Sequence, residues 1–207
     1  MRCAAAIVRW SADGTLRRVR LLVGFLVAVC AASAMGGDAP GDAWRPHPLG
    51  ASGLVLTAPA TWNEQRDPEG ALLVLRSPLT SGVQEGDADA RERARGAVSV
   101  AVQPVTGSES TGTFMARCRR DLERFGTEVE FTAQDEVPLG GQVWARLDYT
   151  FKFGRFTMRQ ELYATVVNGS GCCVVFSSEQ SGFANWQGDF AAIVATLGRS
   201  RPTLELK

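Results

Sequence analysis

Hydrophobic and polar residues alternate most regularly over residues 143–153, where every second residue is apolar. A period of two is the side-chain period of a β-strand with a buried face. Gly154 and Arg155 follow, with glycine in the first place, as a type II′ turn requires. The pattern therefore predicts a hairpin whose second strand covers residues 156–167.

This predicted hairpin has a core side and an outward side. On the core side, Phe151 should lie opposite Met158, and Leu147 opposite Leu162. Arginine and aromatic side chains are common in protein interfaces, so the outward side is a candidate partner surface. Its alternative interpretation is a solvated sheet face with a ladder of cross-strand charges. The candidate surface consists of Trp144, Arg146, Arg159 and Tyr163.

Five further segments have the composition of strands. The segment 172–177 is apolar on both faces and predicts a central strand, followed after Ser177 by the last helix. The others are residues 54–57, 71–76, 97–102 and 129–133.

Two segments predict amphipathic helices. Residues 111–125 place apolar side chains on one stripe and end at Gly126. Ser181 is the expected N-cap of a second helix, which Gly198 ends. The fold class is therefore α+β, with a largely antiparallel central sheet of about six or seven strands and two packed helices.

The N-terminal segment has the order of a secretory signal peptide. Basic residues up to Arg20 precede an apolar run over residues 21–29, and small residues end at Ala34, the expected cleavage site. Cys30 lies in a sequence that resembles a lipoprotein box, so acylation there is the alternative. We expect a periplasmic or extracellular protein that is membrane-anchored only if Cys30 is lipidated.

The expected organisation is a signal peptide over residues 1–34, a linker, one domain and a tail. Residues 35–50 are rich in Gly, Asp and Pro without periodicity and predict a flexible linker, which contains His47. The domain covers residues 51–200, with a polar loop over residues 79–96, and the tail covers residues 201–207.

Charge and composition exclude several classes of function. The chain has 22 basic and 22 acidic residues, and the leader holds five arginines and one aspartate, which leaves about −4 after cleavage. Nucleic-acid binding requires clustered basic residues, so we expect this mildly acidic chain not to bind nucleic acid. His47 is the single histidine, so the predicted domain lacks the commonest general base and metal ligand. We predict no catalytic residues, no metal and no cofactor.

Three cysteines remain after the leader: Cys118, Cys172 and Cys173. An odd number in an oxidising compartment leaves buried free thiols or one disulfide as alternatives. Adjacent strand residues point to opposite faces, so Cys172 and Cys173 are poorly placed to bond to each other. A disulfide of Cys118 with either Cys172 or Cys173 is possible from the sequence.

Several short motifs follow one another between about residues 50 and 200, and none is catalytic. They are the segment 56–62 that ends in Trp62, Ser77-Pro78, Val98-x-Val100-x-Val102, Leu139-Gly140-Gly141, the segment 145–149, Gln160, Phe190 and Ile193. In this order they resemble the PsbP/DcrB-like family of small exported proteins. The resemblance implies a central antiparallel sheet flanked by helices, in bacterial envelope proteins or photosystem accessory proteins that act by binding.

The expected function is that of an exported, non-enzymatic binding or accessory protein of the bacterial cell envelope, with a protein partner there. Two alternatives stay open. One is a lipid-anchored envelope protein attached through Cys30. The other is an atypical hydrolase that works with carboxylates alone.

Overall fold

The computed structural model describes residues 43–66, 72–78 and 95–199. Several predictions lie outside these residues: the signal peptide with Cys30 and Ala34, the first part of the linker, nearly all of the loop 79–96, and the tail 201–207.

Ten strands and two helices make up the described part. The helices are α1 (Thr111–Phe125) and α2 (Phe183–Val194), and short 3-10 turns cover Gly50–Ser52 and Gln180–Gly182. The strands are β1 (Trp44–Pro48), β2 (Leu54–Pro59), β3 (Asn63–Arg66), β4 (Leu72–Arg76), β5 (Ala97–Pro104), β6 (Glu130–Leu139), β7 (Gln142–Phe153), β8 (Phe156–Val167), β9 (Ser170–Glu179) and β10 (Gly198–Arg199).

Seven strands form the main sheet in the order β3-β4-β5-β9-β8-β7-β6, and every neighbouring pair is antiparallel. β9 is the middle strand, which explains why it is apolar on both faces. A small antiparallel sheet has the order β1-β2-β10. The predicted α+β class with two helices on a largely antiparallel sheet is confirmed.

The predicted hairpin of β7 and β8 is confirmed in its register. Phe151 lies opposite Met158, and Leu147 lies opposite Leu162. Gly154 has a φ of 59°, the left-handed conformation that the first position of a type II′ turn needs. Turn chemistry in the sequence thus fixed which residues face each other.

Helix α1 covers one face of the main sheet. Ser110 caps it by accepting a hydrogen bond from the backbone N–H of Thr113 at 3.2 Å, and Gly126 ends it as predicted. Its buried side chains pack on β7, β8 and β9, and the first core consists of Phe114, Met115, Cys118, Leu122, Ala145, Leu147, Tyr149, Leu162, Ala164, Cys173 and Val175.

The opposite face of the main sheet carries a second core, beneath α2 and the small sheet. Aromatic rings connect these layers: Phe190 of α2 lies 5.2 Å from Phe176 of β9 and 6.4 Å from Trp62, centroid to centroid. The predicted cap of α2 is wrong, because Ser181 belongs to the preceding 3-10 turn and Gly182 is the N-cap.

The predicted linker is wrong from Trp44 onward. β1 pairs with β2 at five positions, and His47 and Leu49 are buried. Proline is acceptable in an edge strand, but Pro46 and Pro48 interrupt the alternation of apolar and polar residues by which a strand is recognised in the sequence. Within the described residues, no helix is both long and apolar enough to cross a lipid bilayer.

Candidate functional site

The structure divides the four residues of the candidate surface into two groups. Trp144 is 0% exposed and Tyr163 is 6% exposed, and both belong to the second core. The prediction that these two aromatic residues face solvent is wrong, because α2 and the small sheet cover the sheet face that they share. Arg146 and Arg159 keep 30% and 38% of their side chains exposed.

These two arginines belong to a network that we call the charged cluster. Arg146 donates two hydrogen bonds to the carboxylate of Asp135, at 2.9 and 3.0 Å, and its Nε lies 3.8 Å from Asp148 Oδ1. Nη2 of Arg159 lies 4.0 Å from Glu161 Oε1. The charged cluster is therefore made of Asp135, Arg146, Asp148, Arg159 and Glu161.

The strands β6, β7 and β8 place these charges by register alone. Asp135 lies opposite Arg146, and Asp148 lies opposite Glu161. Because alternate residues of a strand share a face, positions 146 and 148 of β7 and positions 159 and 161 of β8 come together. Adjacent positive and negative charges thus cross three strands.

Burial raises the pKa values of two carboxyl groups in the charged cluster. Burial raises the pKa of Asp148, against the opposing charges of Arg146 and Arg159. Burial, with the neighbouring charge of Asp148, also raises the pKa of Glu161. Oδ1 of Asp148 has no hydrogen-bond partner among the described residues. Burial alone would lower the pKa of Arg146, but Asp148 and Asp135 outweigh it and raise that pKa.

Arg159 has a second neighbour besides Glu161, the aromatic ring of Phe183. Its guanidinium carbon lies 4.5 Å from the centroid of the Phe183 ring at the start of α2. A cation over an aromatic face is attracted by the ring quadrupole. Both arginines of the charged cluster are therefore fixed by neighbours while a part of each remains accessible.

The three cysteines lie on different sides of the sheet. Cys118 of α1 and Cys173 of β9 are in the first core, where their Sγ atoms are 3.6 Å apart. Cys172 is in the second core. All three are buried free thiols in this structure. Burial raises the pKa of Cys172 to about 12.

A second polar cluster was missed because it is centred on Glu64 in the short, polar strand β3. Glu64 Oε2 lies 3.1 Å from Arg45 Nη2 and 3.2 Å from His47 Nδ1, and its other oxygen accepts from Arg66 Nε. This cluster connects β1 of the small sheet to the edge of the main sheet. It borders an open groove of about 550 Å³ lined by Arg45, Ala60, Thr61, Trp62, Asn63, Glu64 and Arg66.

Two motif positions form a buried polar chain in the main sheet. The hydroxyl of Tyr149 donates to Gln160 Oε1, and Gln160 Nε2 donates to Ser177 Oγ at 2.9 Å. This explains why a glutamine is acceptable inside a strand: its amide has both a donor and an acceptor as partners. Among the described residues, no three His, Cys, Asp or Glu side chains are grouped in a way that could hold a metal.

Neither a protein-family model nor a curated protein matches this chain. Solved structures do match in fold. Cyanobacterial PsbP (CyanoP) from Synechocystis sp. PCC 6803 has a TM-score of 0.55 and 12% identity, over 81% of this chain and 98% of the other.

Two bacterial structures agree with this result. LpqN of Mycobacterium tuberculosis, described as involved in cell envelope biogenesis, has a TM-score of 0.53 and 11% identity over 78% of this chain and 93% of its own. PA94 of Pseudomonas aeruginosa, a protein of unknown function, has a TM-score of 0.54 and 11% identity over 77% and 99%. The fold implied by the resemblance in the sequence is confirmed: this chain has a PsbP/DcrB-like fold.

Proposed function

We propose that this protein is an exported, non-enzymatic accessory protein of the bacterial cell envelope that binds a protein partner through the charged cluster. The predicted signal peptide over residues 1–34 supports export. The fold shared with LpqN, which is described as involved in cell envelope biogenesis, supports a place in the envelope.

The observation that carries this proposal is the fixed geometry of Arg146 and Arg159. Long charged side chains normally lose rotamer entropy when a partner immobilises them. Here Asp135 holds Arg146 with two hydrogen bonds, and Phe183 supports Arg159, so much of that cost is already met in the free protein. Arginine is also among the residues that dominate binding energy in protein interfaces.

Site-specific photo-crosslinking in the native envelope tests this proposal. A photo-reactive residue at Thr150, which lies opposite Arg159 and leaves the charged cluster intact, should form an adduct with a protein partner. The same residue at Ala116, on the exposed side of α1, is the control and should form none.

Charge reversal gives the matched comparison. The variant with Arg146→Glu and Arg159→Glu should lose the adduct from position 150. The variant with Arg120→Glu and Arg124→Glu changes the charge equally on the exposed side of α1 and should keep it. Equal adducts from positions 116 and 150, or an adduct that survives reversal at 146 and 159, would contradict the proposal.

Intact mass of the same material separates a chain that begins at Met35 from one acylated at Cys30.

A second candidate function is carboxylate-dependent hydrolysis. Asp148 and Glu161 lie directly opposite each other on β7 and β8, and burial raises the pKa of both. A carboxyl group with a raised pKa can serve as a general acid. If purified protein hydrolyses members of a panel of esters and glycosides, both Asp148→Asn and Glu161→Gln should abolish turnover without unfolding the chain. Turnover that persists in both variants would exclude this pair.

A further inference from the structure

Cys118 and Cys173 face each other across the contact between α1 and the middle strand β9. Their Sγ atoms are 3.6 Å apart, and the residues are 1% and 3% exposed. We propose that these two cysteines form a disulfide while the chain folds under oxidising conditions, so that α1 becomes covalently attached to the main sheet. The cellular setting rests on the proposed export, whereas the pairing rests on the geometry alone.

The geometry selects Cys173 and excludes Cys172. Cys172 lies on the opposite face of β9, in the second core with Val174 and Phe176. The backbone of the main sheet therefore separates Cys172 from α1. Three cysteines then become one bridge and one buried free thiol, which accounts for the odd number in an exported chain.

Burial determines when this bond can form. A hydrogen bond with Cys118, together with burial, raises the pKa of Cys173. Only the thiolate attacks a disulfide, so a protonated thiol inside the folded core is a poor nucleophile. The bond should therefore form before α1 is fully packed on the sheet.

The reaction is thiol–disulfide exchange with an oxidant that itself carries a disulfide, such as an envelope dithiol oxidase or oxidised glutathione. The thiolate of one cysteine attacks the disulfide of the oxidant, which forms a mixed disulfide and releases one thiolate. The thiolate of the other cysteine then attacks the protein sulfur of this mixed disulfide and releases the second. The two cysteines lose two electrons and two protons in total, and the oxidant gains them as two thiols.

Oxidative refolding followed by cysteine mapping tests the pairing. The protein is reduced in denaturant, refolded with reduced and oxidised glutathione, unfolded again and alkylated with N-ethylmaleimide. Trypsin isolates Cys118 between Arg117 and Arg119, whereas Cys172 and Cys173 share one peptide, so fragment ions must locate the label. We expect a cross-linked peptide with Cys172 alkylated. Alkylated Cys118, or a link from Cys118 to Cys172, would overturn the pairing.

Matched variants repeat the test without relying on fragment ions. Cys172→Ser should keep the cross-link, and Cys173→Ala should lose it. Should Cys173→Ala fail to fold, the wild-type map and Cys172→Ser still decide. Loss of the cross-link in Cys172→Ser refolded to the native circular dichroism spectrum would overturn the proposal.

Two further measurements connect the bond to stability and to the cell. The bridge closes a loop between residues 55 positions apart, so reduction should lower the unfolding temperature by on the order of 10 °C. An unchanged unfolding temperature would overturn a stabilising bridge. The same cysteine map on protein trapped in the envelope fraction reports on export. A bridge that forms in refolding but is missing in cells contradicts the export proposal and leaves the pairing intact.

Discussion

His47 shows how burial changes the role of one residue. It is 1% exposed in β1, and its Nδ1 lies 3.2 Å from Glu64 Oε2. Burial lowers the pKa of His47 from its ordinary value of 6.5, because desolvation and the charges of Arg45 and Arg66 outweigh the attraction of Glu64. The single histidine is therefore part of the contact between the two sheets.

This lowered pKa predicts a pH-dependent stability. As the pH falls below about 6.5, the unfolded chain binds the proton more readily than the folded chain, so stability present above 6.5 is lost. His47→Gln should flatten this part of the profile. Urea unfolding of both proteins from about pH 5 to about pH 8 measures it. Other titrating groups, such as Asp148 and Glu161, are present in both proteins, so parallel profiles would contradict the role of His47.

Tyr149 and Gln160 give a second prediction at this scale. Tyr149→Phe removes the hydroxyl that donates to Gln160 Oε1 and leaves a buried acceptor unsatisfied, at a cost of about 1–3 kcal/mol. Gln160→Leu leaves the Tyr149 hydroxyl without that acceptor. The two losses should not be additive, because the double variant removes both partners. A double-mutant cycle by chemical denaturation measures this coupling, and a value near zero would contradict a shared hydrogen bond.

At the scale of elements, the turn between β6 and β7 connects distant parts of the chain. Gly140 and Gly141 both have left-handed backbones, with φ of 54° and 77°. A Cβ on Gly140 would lie 2.1 Å from the carbonyl oxygen of Leu197, just after α2, whereas a Cβ on Gly141 would meet nothing within 4 Å. The turn alone therefore requires a glycine at position 141, whereas position 140 requires one both for the turn and for the close contact with the backbone of Leu197.

The two glycines form a matched pair for mutation. Gly141→Ala should cost about 1–2 kcal/mol, the strain of a left-handed alanine. Gly140→Ala should cost at least about 2 kcal/mol more, because its new methyl group collides with backbone atoms that cannot rotate away. Thermal or urea unfolding of both variants measures the difference. Equal losses would contradict the close contact.

At the scale of the whole molecule, both faces of the main sheet are covered. α1 covers one face, and α2 with the small sheet covers the other. β1 is one of the two edge strands of the small sheet; it contains the buried His47, and the buried Leu49 follows it directly. The part of the chain that looks like a linker therefore completes the second core.

Removal of β1 tests this role. A chain that begins at residue 50 should be less stable than one that begins at residue 43 by on the order of 3 kcal/mol, since it loses buried Leu49 and exposes the edge of β2. Urea denaturation of both chains measures the difference. Equal stability would show that β1 contributes nothing to the domain.

The sequence predicted the elements whose signals are local. Alternation and turn residues located the hairpin of β7 and β8 with the correct register, and the apolar stripe with Gly126 gave the bounds of α1. β10 was missed because Gly198 was expected to end α2, which instead ends at Val194. β1 and β3 were also missed, because prolines interrupt the pattern of β1 and the residues of β3 are all polar. A strand of that kind is stabilised by its neighbours rather than by its own side chains.

Which residues of the candidate site are exposed depends on the layer that packs on each face of the main sheet. Period-two alternation assigned Trp144 and Arg146 correctly to one face, but it could not show that a second layer buries Trp144 and leaves Arg146 partly exposed. The choice between Cys172 and Cys173 required the position of α1, which packs on one side of β9 only. Local periodicity thus predicted the two helices, the strands that have an alternating or apolar pattern, and the residues that share a face. Only long-range packing decided which of those residues lie in a core and which remain exposed to solvent, because contacts between residues far apart in the chain leave no local pattern.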